Sequence, residues 1–235
     1  MLTIIDHKTM GRSETDWLDS WFHFSFADYY DPKRMRYGAL RAVNDDTILP
    51  ATGFVMHPDQ DKEILTYVVD GELSHHDQLG HNTVLKRGEV QFMRAGTGIL
   101  HSEENRSDDV LRLFQIWITP DQLGLTPAYQ DFHLPWCSRV NQWMQIASDQ
   151  TGDGPILLHQ DIRMLATMLS GEHSLSYQPK EHRQLYLICM EGEAMVNGRA
   201  LKKHDACKAV AEPLQILSKP IAHLLLFDMK ESDDK

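Results

Sequence analysis

Two short segments, well separated in the sequence, each carry an imidazole and a carboxylate two positions apart. The first holds His57 and Asp59, and the second holds His101 and Glu103. Because residues i and i+2 of an extended strand point to the same face, each segment directs both side chains to one point. If the two strands lie side by side, four nitrogen and oxygen ligands converge on one cavity. This donor set, which lacks cysteine, suits a divalent first-row transition metal.

The composition is that of a globular protein with an acidic surface. The chain has 235 residues, and its net charge of −11 comes from 23 basic and 34 acidic residues. An acidic balance without a basic run argues against direct binding of nucleic acid and of anionic membranes. The start of the sequence lacks the basic and then apolar pattern of a secretory leader. The three cysteines are far apart and form no CxxC motif. We therefore expect a cytoplasmic protein without a disulfide framework.

Short apolar runs bounded by turn residues recur along the chain, which predicts an all-β fold of the sandwich or barrel type. The second half also echoes the first. The run 67–72 resembles the run 187–193, and 222–228 is comparable to 111–118, although a match this short also allows coincidence. The dipeptide Asn197-Gly198 predicts a tight hairpin. These patterns indicate two barrels of a duplicated fold.

The expected domain boundaries follow from the distribution of proline and glycine. Residues 1–120 are predicted to form the first barrel, which holds the metal site. Residues 121–155 form a connector with a few short helices, and residues 156–235 form a second barrel without metal ligands. The charged tail 230–235 is expected to fray.

The two segments belong to longer motifs that resemble a known superfamily. The pattern Gly53…His57-x-Asp59-x3-Glu63…Gly71 resembles the first cupin motif, and Gly98-x2-His101-x3-Asn105 resembles the second. More narrowly, the chain resembles the pirin family over nearly its whole length. The segments that carry this resemblance are Trp21–Pro32, Leu40–Asp46 and Ala95–Glu103.

The resemblance implies a bicupin, which is a protein of two tandem cupin barrels. In this family the first barrel binds one metal, commonly iron, which implies His57, position 59, His101 and Glu103 as ligands here. We expect iron(II), with manganese, nickel, cobalt, copper and zinc as alternatives. A few other side chains are assigned lesser roles. Glu63 is expected to donate or accept a hydrogen bond rather than to ligate, and His75 and His76 are expected to lie on the surface.

Position 59 departs from the family, which has histidine there. Three interpretations remain open: Asp59 ligates as a carboxylate, the site keeps three ligands, or the site is metal-free. Gln60 and Lys62 also differ from the basic and apolar residues that are usual at these positions. Two carboxylates would favour harder ions such as manganese(II) or iron(II) over copper(II).

The resemblance implies a quercetin 2,3-dioxygenase, which opens the central ring of a flavonol with O2 and releases carbon monoxide. Glu103 would accept the proton of the flavonol 3-hydroxyl as general base. Asp59 is expected to weaken this activity. The alternative is a non-enzymatic regulatory protein that binds a transcription factor or a metabolic enzyme. The sequence does not distinguish this alternative from a sensor of a small ligand. The expected oligomeric state is a monomer.

Overall fold

The apolar runs of the sequence form β-strands throughout the computed structural model, which describes residues 1–231. The predicted all-β class is confirmed. Within the described residues, helical structure is confined to two 3-10 turns, His7–Thr9 and Trp136–Arg139. The strands in chain order are β1 (Thr3–Ile5), β2 (Gly11–Glu14), β3 (Leu18–Phe22), β4 (Leu40–Ile48), β5 (Thr52–Asp59), β6 (Glu63–Asp70), β7 (Glu72–Asp77), β8 (Asn82–Lys86), β9 (Val90–Arg94), β10 (Ile99–Asn105), β11 (Leu111–Ile118), β12 (Ala128–Phe132), β13 (Met144–Asp149), β14 (Ile156–Leu158), β15 (Ile162–Ser170), β16 (Ser174–Tyr177), β17 (Arg183–Val196), β18 (Arg199–Lys202), β19 (Ala206–Val210) and β20 (Leu214–Lys230).

The strands form two compact units whose boundaries differ from the expected ones. The N-terminal unit is Gly11–Leu134, and the C-terminal unit combines Met1–Met10 with the chain from Pro135 onward. The expected connector, residues 121–155, contains two strands. Strand β12 pairs with β9 in the first unit, and β13 joins the sheet of the second unit. The first residues belong to the C-terminal unit because β1 pairs with β19. Most of the tail that was expected to fray lies outside the described residues.

The N-terminal unit packs two sheets face to face. The larger sheet has the order β12-β9-β6-β11-β4-β3-β2, and the smaller has the order β5-β10-β7-β8. A buried cluster joins them, since it contains Val68 and Leu113 of the larger sheet and Leu73 and Leu85 of the smaller. Burial of side chains of this size contributes about 1.5–3 kcal/mol each. The smaller sheet carries both segments that were predicted to hold metal ligands.

The C-terminal unit is built around a nine-stranded sheet with the order β1-β19-β17-β20-β15-β13-β14. In addition, β16 pairs with β20, and β18 pairs with β17. The predicted hairpin at Asn197-Gly198 is confirmed, because Val196 pairs with Arg199 across it. Both turn residues have positive φ, which is the requirement that Asn-Gly meets at low cost. No helix among the described residues has the length and hydropathy needed to cross a membrane.

Gly53 allows the two strands of the predicted site to approach closely. Its φ is +152°, a backbone conformation that residues with a side chain rarely adopt. A Cβ at this position would lie 2.5 Å from the Cα of Glu104 and 2.6 Å from the carbonyl oxygen of Glu103. The strand that carries His57 therefore depends on a glycine to lie against the strand that carries Glu103.

Asp46 is a buried carboxyl group on β4 with a raised pKa. Burial disfavours its charged form and is the main reason that its pKa rises to about 7. The Ser20 hydroxyl donates to it at 2.5 Å and opposes the rise. The charges of Asp45, Glu103 and Asp19 raise the pKa further. Between pH 3.8 and about 7, the Asp46 carboxyl group is therefore protonated in the folded protein and ionised in the unfolded chain.

We expect Asp46→Asn to make the stability less dependent on pH. The unfolded carboxyl group has a pKa near 3.8. The stability that this proton contributes is therefore complete below that pH and is lost as the pH rises towards 7. Between pH 5 and pH 8, the wild-type protein should lose about 2–3 kcal/mol of unfolding free energy relative to the variant. Urea unfolding of both proteins across this range measures the difference, and a difference independent of pH would contradict the assignment.

Candidate metal centre

The two segments that carry the predicted ligands lie side by side, which was the condition for their ligands to meet. Strands β5 and β10 pair antiparallel, with His101 directly opposite His57. A register shift between His101 and Glu103 then places Glu103 opposite Phe54. On its other side β10 pairs with β7, where His75 faces Glu103 across the strands. Strand β10 therefore lies in the centre of the site with ligand-type side chains on both flanks.

His57, Asp59 and His101 form a first group, which we call the outer triad. One ligand atom from each lies within 4.8 Å of the others. His101 Nε2 is 3.2 Å from Asp59 Oδ2, and the two imidazole rings have centroids 4.4 Å apart. His57 is half-buried, and its Nδ1 donates to the Val55 carbonyl oxygen at 2.8 Å. This bond leaves Nε2 as the nitrogen of His57 that can ligate.

Lys62 contacts the outer triad through Asp59. Its Nζ donates to Asp59 Oδ1 at 2.6 Å and lies 3.5 Å from the centroid of the Trp117 ring. Asp59 is buried, and both of its oxygens are engaged, one by Lys62 and the other by His101. A lysine ammonium thus contacts the carboxylate at the very position where the family has a histidine ligand.

Asp59 and His101 shift each other's pKa values in opposite directions. Burial raises the pKa of Asp59, but the hydrogen bonds from His101 and Lys62 outweigh it, so the pKa lies below its ordinary value. Burial lowers the pKa of His101, but the bond to Asp59 and the charge of Glu103 outweigh it, so that pKa is raised. Both shifts favour an ion pair between the two side chains.

Glu103 is held by three neutral donors from the larger sheet. Thr66 and Gln91 donate to its Oε1 at 3.1 and 2.6 Å, and Gln115 donates to its Oε2 at 2.5 Å. The three donors lie on adjacent strands, with Thr66 paired with both Gln91 and Gln115. Sequence reasoning missed them, although each is a polar residue at a buried or half-buried position of an apolar run. Trp117 donates to Gln115 Oε1 at 3.0 Å and so supports this arrangement.

His75 is buried, so the expectation of a surface position is wrong for this residue and correct for His76 alone. His75, His101 and Glu103 form a second group with ligand atoms within 4.8 Å, which we call the inner triad. Leu73, His75 and Asp77 are spaced two residues apart on β7, so they point to the same face of the sheet. This spacing, with the apolar Leu73 on that face, was the signal that could have predicted the burial of His75.

Asp77 and Tyr129 fix the orientation of His75. Asp77 Oδ2 accepts from His75 Nε2 at 3.1 Å, and the Tyr129 ring stacks on the imidazole at a centroid distance of 4.1 Å. Burial lowers the pKa of His75, and the bond to Asp77 opposes this shift only in part. A neutral imidazole whose second nitrogen is bonded to a carboxylate is the usual form of a metal-ligating histidine.

The side chains present fit a divalent metal. The Nδ1 atoms of His75 and His101 are buried and have no hydrogen-bond partner, and imidazole and carboxylate donors suit a first-row ion. The structure does not gather the four predicted ligands into one group, however. His57 and Asp59 fall in the outer triad and Glu103 in the inner triad, with His101 common to both. Glu63 is buried and belongs to neither triad.

Comparisons with known proteins agree with this architecture. The family model Pirin matches residues 5–118, and the model Quercetinase C-terminal cupin domain matches residues 145–229. A chain with two such all-β units is a bicupin, which confirms the predicted fold class. The Caulobacter vibrioides Pirin-like protein is 38% identical over 96% of this chain and 99% of its own length. The chain belongs to the pirin family.

Relatives and solved structures give the site a chemical context. An Escherichia coli K12 protein named Quercetin 2,3-dioxygenase is 37% identical, covering 93% of this chain and 94% of that one. The crystal structure of YhhW from Escherichia coli has a TM-score of 0.93 at 35% identity, with full coverage of both chains. A second structure, of bacterial pirin YhhW in complex with nickel(II), has a TM-score of 0.92 at 35% identity and covers 99% and 100%.

Proposed function

We propose that this pirin-family protein binds one divalent transition metal in its N-terminal unit and cleaves flavonols as a quercetin 2,3-dioxygenase. The observation that supports the proposal is that strands β5 and β10 pair, so that His101 lies in one group with His57 and Asp59 and in a second group with Glu103. A buried nitrogen of His101 has no hydrogen-bond partner. The relatives named quercetin 2,3-dioxygenase support the substrate class. Iron(II) is our first candidate for the ion, and nickel(II) follows from the nickel complex of the related pirin.

The ligand set would be His57, His101 and Glu103, with Asp59 as a fourth member. When bound, the cation would supply Lewis acidity to the flavonol 3-hydroxyl and a template for O2. A bond from Glu103 to the ion would take the place of one of its three present hydrogen bonds, because a carboxylate offers about four acceptor sites and one of them is needed for the substrate proton. His75 lies beside His101 and Glu103 in the inner triad and adds a polar side chain there.

Glu103 is the general base in this proposal. It accepts hydrogen bonds from Thr66, Gln91 and Gln115, all of them neutral. Two of these donors would hold the carboxylate in place beside the ion, which leaves about one acceptor site for the proton of the flavonol 3-hydroxyl. The reaction then incorporates O2 into the flavonol, opens its central ring and releases carbon monoxide.

Oxygen consumption tests the enzymatic proposal. Tag-free protein loaded with iron(II), manganese(II) or nickel(II) is mixed with quercetin, and O2 uptake is followed with carbon monoxide release. We expect slow turnover that is abolished by Glu103→Gln, because Gln keeps the size of the side chain but does not take up a proton. Thr83→Val serves as the control. Thr83 lies on β8, and its hydroxyl contacts Tyr129 rather than Glu103. Uptake that is equal in Glu103→Gln and the parent would remove Glu103 from the base role.

One observation favours a non-enzymatic alternative, a regulatory protein that binds a transcription factor or a metabolic enzyme. Lys62 already neutralises Asp59 within the outer triad at 2.6 Å, without help from a metal. If loaded protein consumes no O2 with any flavonol, and the same assay detects turnover by the Escherichia coli relative, the regulatory proposal takes precedence.

A further inference from the structure

A second cluster of metal-ligating side chains lies in the C-terminal unit, whereas both triads belong to the N-terminal unit. Strand β1 pairs with β19 so that Ile5 lies opposite Ala206. The next residues of each segment, Asp6 and His7 on one and Asp205 on the other, are therefore brought together. One ligand atom from each of these three lies within 4.8 Å of the others. Sequence reasoning could not find this cluster because His7 and Asp205 are 198 positions apart.

The distances within the cluster match the edges of a coordination polyhedron. His7 Nδ1 is 2.8 Å from Asp205 Oδ1 and 3.6 Å from Asp6 Oδ1. Metal–ligand bonds of about 2.1 Å separate neighbouring ligand atoms by about 3.0–3.4 Å in octahedral or tetrahedral geometry. Both measured separations are within a few tenths of an ångström of this range, and the two carboxylate oxygens lie within 4.8 Å of each other.

Backbone amides hold both carboxylates in place. Asp6 Oδ1 accepts from the Lys8 amide at 2.9 Å, and Asp205 accepts from the amides of His7 and Lys202 at 3.0 and 3.1 Å. Ligand carboxylates are commonly oriented by such bonds. Asp205 is buried and His7 is half-buried, so the cluster is partly shielded from solvent. Salt therefore screens the attraction between a bound ion and these carboxylates less than it would at the surface.

His204 supplies a fourth donor of the right type. Its ring centroid lies 5.6 Å from that of His7, and the planes are inclined by 47°. Two imidazoles on one ion have centroids about 5 Å apart, given bonds of about 2.1 Å. The backbone of His204 is fixed, since its amide donates to the Cys189 carbonyl oxygen at 2.8 Å. We take the His204 ring, which lies beside that of His7, as the fourth candidate ligand.

We propose that Asp6, His7, Asp205 and His204 form a binding site for a divalent transition metal of the zinc(II) or nickel(II) class. Two carboxylates neutralise the charge of the ion, and one or two imidazoles make the site selective for these metals over calcium and magnesium. The neutral His7 ring carries its proton on Nε2 when Nδ1 ligates. The ion clamps the first ten residues onto β19 and is independent of the site in the N-terminal unit.

Zinc titration by calorimetry tests the proposal in a background that lacks the first site, His57→Ala/His101→Ala. This background should bind about one equivalent of zinc(II), and zinc should raise its Tm. Adding His7→Asn should abolish both effects, because Asn retains a donor for Asp205 but is a poor ligand. His204→Ala should weaken the affinity in the same background. Cobalt(II) absorption reports the loss of nitrogen ligands independently of stability.

His133→Asn is the matched control. His133 is exposed and also contacts two carboxylates, but Glu89 lies 2.5 Å from its Nδ1 and Asp131 lies 3.2 Å from its Nε2. The two carboxylates thus lie on opposite edges of the ring and do not converge on one ion. Zinc binding that survives His7→Asn, or is lost equally in His133→Asn, overturns the proposal. Absence of zinc binding in the double-alanine background also overturns it, whatever the first site does.

Discussion

Replacing Asp59 by histidine and Lys62 by methionine in one protein is expected to raise the metal affinity of the N-terminal unit by about 10- to 100-fold. The physical reason is the pairing of the two side chains. A metal must displace Lys62 from Asp59 Oδ1, where it sits at 2.6 Å, and its own charge is repelled by an ammonium held over Trp117 at 3.5 Å. The double replacement supplies an imidazole and removes the competing cation at once.

The two single variants separate these contributions. Asp59→His alone should raise metal occupancy and dioxygenase activity, but by less than the double variant. In the single variant the Lys62 ammonium stays beside the new histidine ligand, has lost the Asp59 carboxylate that neutralised it, and repels the ion. Lys62→Met alone frees an oxygen of Asp59 and tests whether aspartate can ligate. Lys86→Met is the control, since Lys86 forms an ion pair with Glu72 at 2.8 Å on the exposed surface of the same unit.

Metal content by mass spectrometry of tag-free protein and competitive titration with a chelating dye measure these affinities. A double variant that binds no more metal than the parent would show that the explanation of position 59 is wrong. Metal in Lys62→Met but not in the parent would favour Asp59 as a ligand. Metal only after Asp59→His would favour a degenerate site in the natural protein.

Replacing His101 by alanine is expected to have the largest single effect on the site. His101 is the one residue shared by the outer and inner triads, and it is fully buried. Its loss should lower metal affinity more than about 100-fold and abolish O2 uptake, since neither triad keeps enough donors. It also leaves the buried Asp59 without one partner, which should cost about 3 kcal/mol or more of unfolding free energy in metal-free protein.

His76→Ala is the matched control for His101→Ala. His76 lies opposite Ser102 on the neighbouring strand but is exposed to solvent, so its loss should change neither metal content nor stability beyond about 0.5 kcal/mol. Metal content and urea unfolding are measured for both variants. In a His7→Asn background, which lacks the site proposed in the C-terminal unit, one full equivalent of metal retained in His101→Ala would exclude both triads as the binding site.

The sequence was sufficient to predict the fold class and the two strand segments that carry the candidate ligands. Frequent short apolar runs and the Asn197-Gly198 turn are local signals, and both describe the structure correctly. The shared face of His57 and Asp59 followed from the period of a strand, because residues two apart point to the same side. The pairing of their strand with that of His101 was only a condition of the prediction. Features of this kind depend on near neighbours in sequence.

The detail of the site depends on contacts that no local pattern contains. Glu103 is oriented by donors 12 to 37 positions away, on three strands of the opposite sheet. His75 was assigned to the surface because its neighbour His76 and the turn beyond it are polar, whereas its packing against Tyr129 comes from distant β12. Lys62 was noted only as unusual, since its ion pair with Asp59 requires the chain to turn at Asp61, which has positive φ.

The pairing of β1 with β19 bears on the order in which the protein folds. Thr3 pairs with Lys208, so the contact joins segments that leave the ribosome far apart in time. The strands of residues 11–134 pair among themselves and can form their sheets while the rest of the chain is still being synthesised. Contacts of high sequence separation form slowly because a long loop must close first. We therefore expect the amides of Thr3–Ile5 to be among the last to acquire protection against hydrogen exchange during refolding.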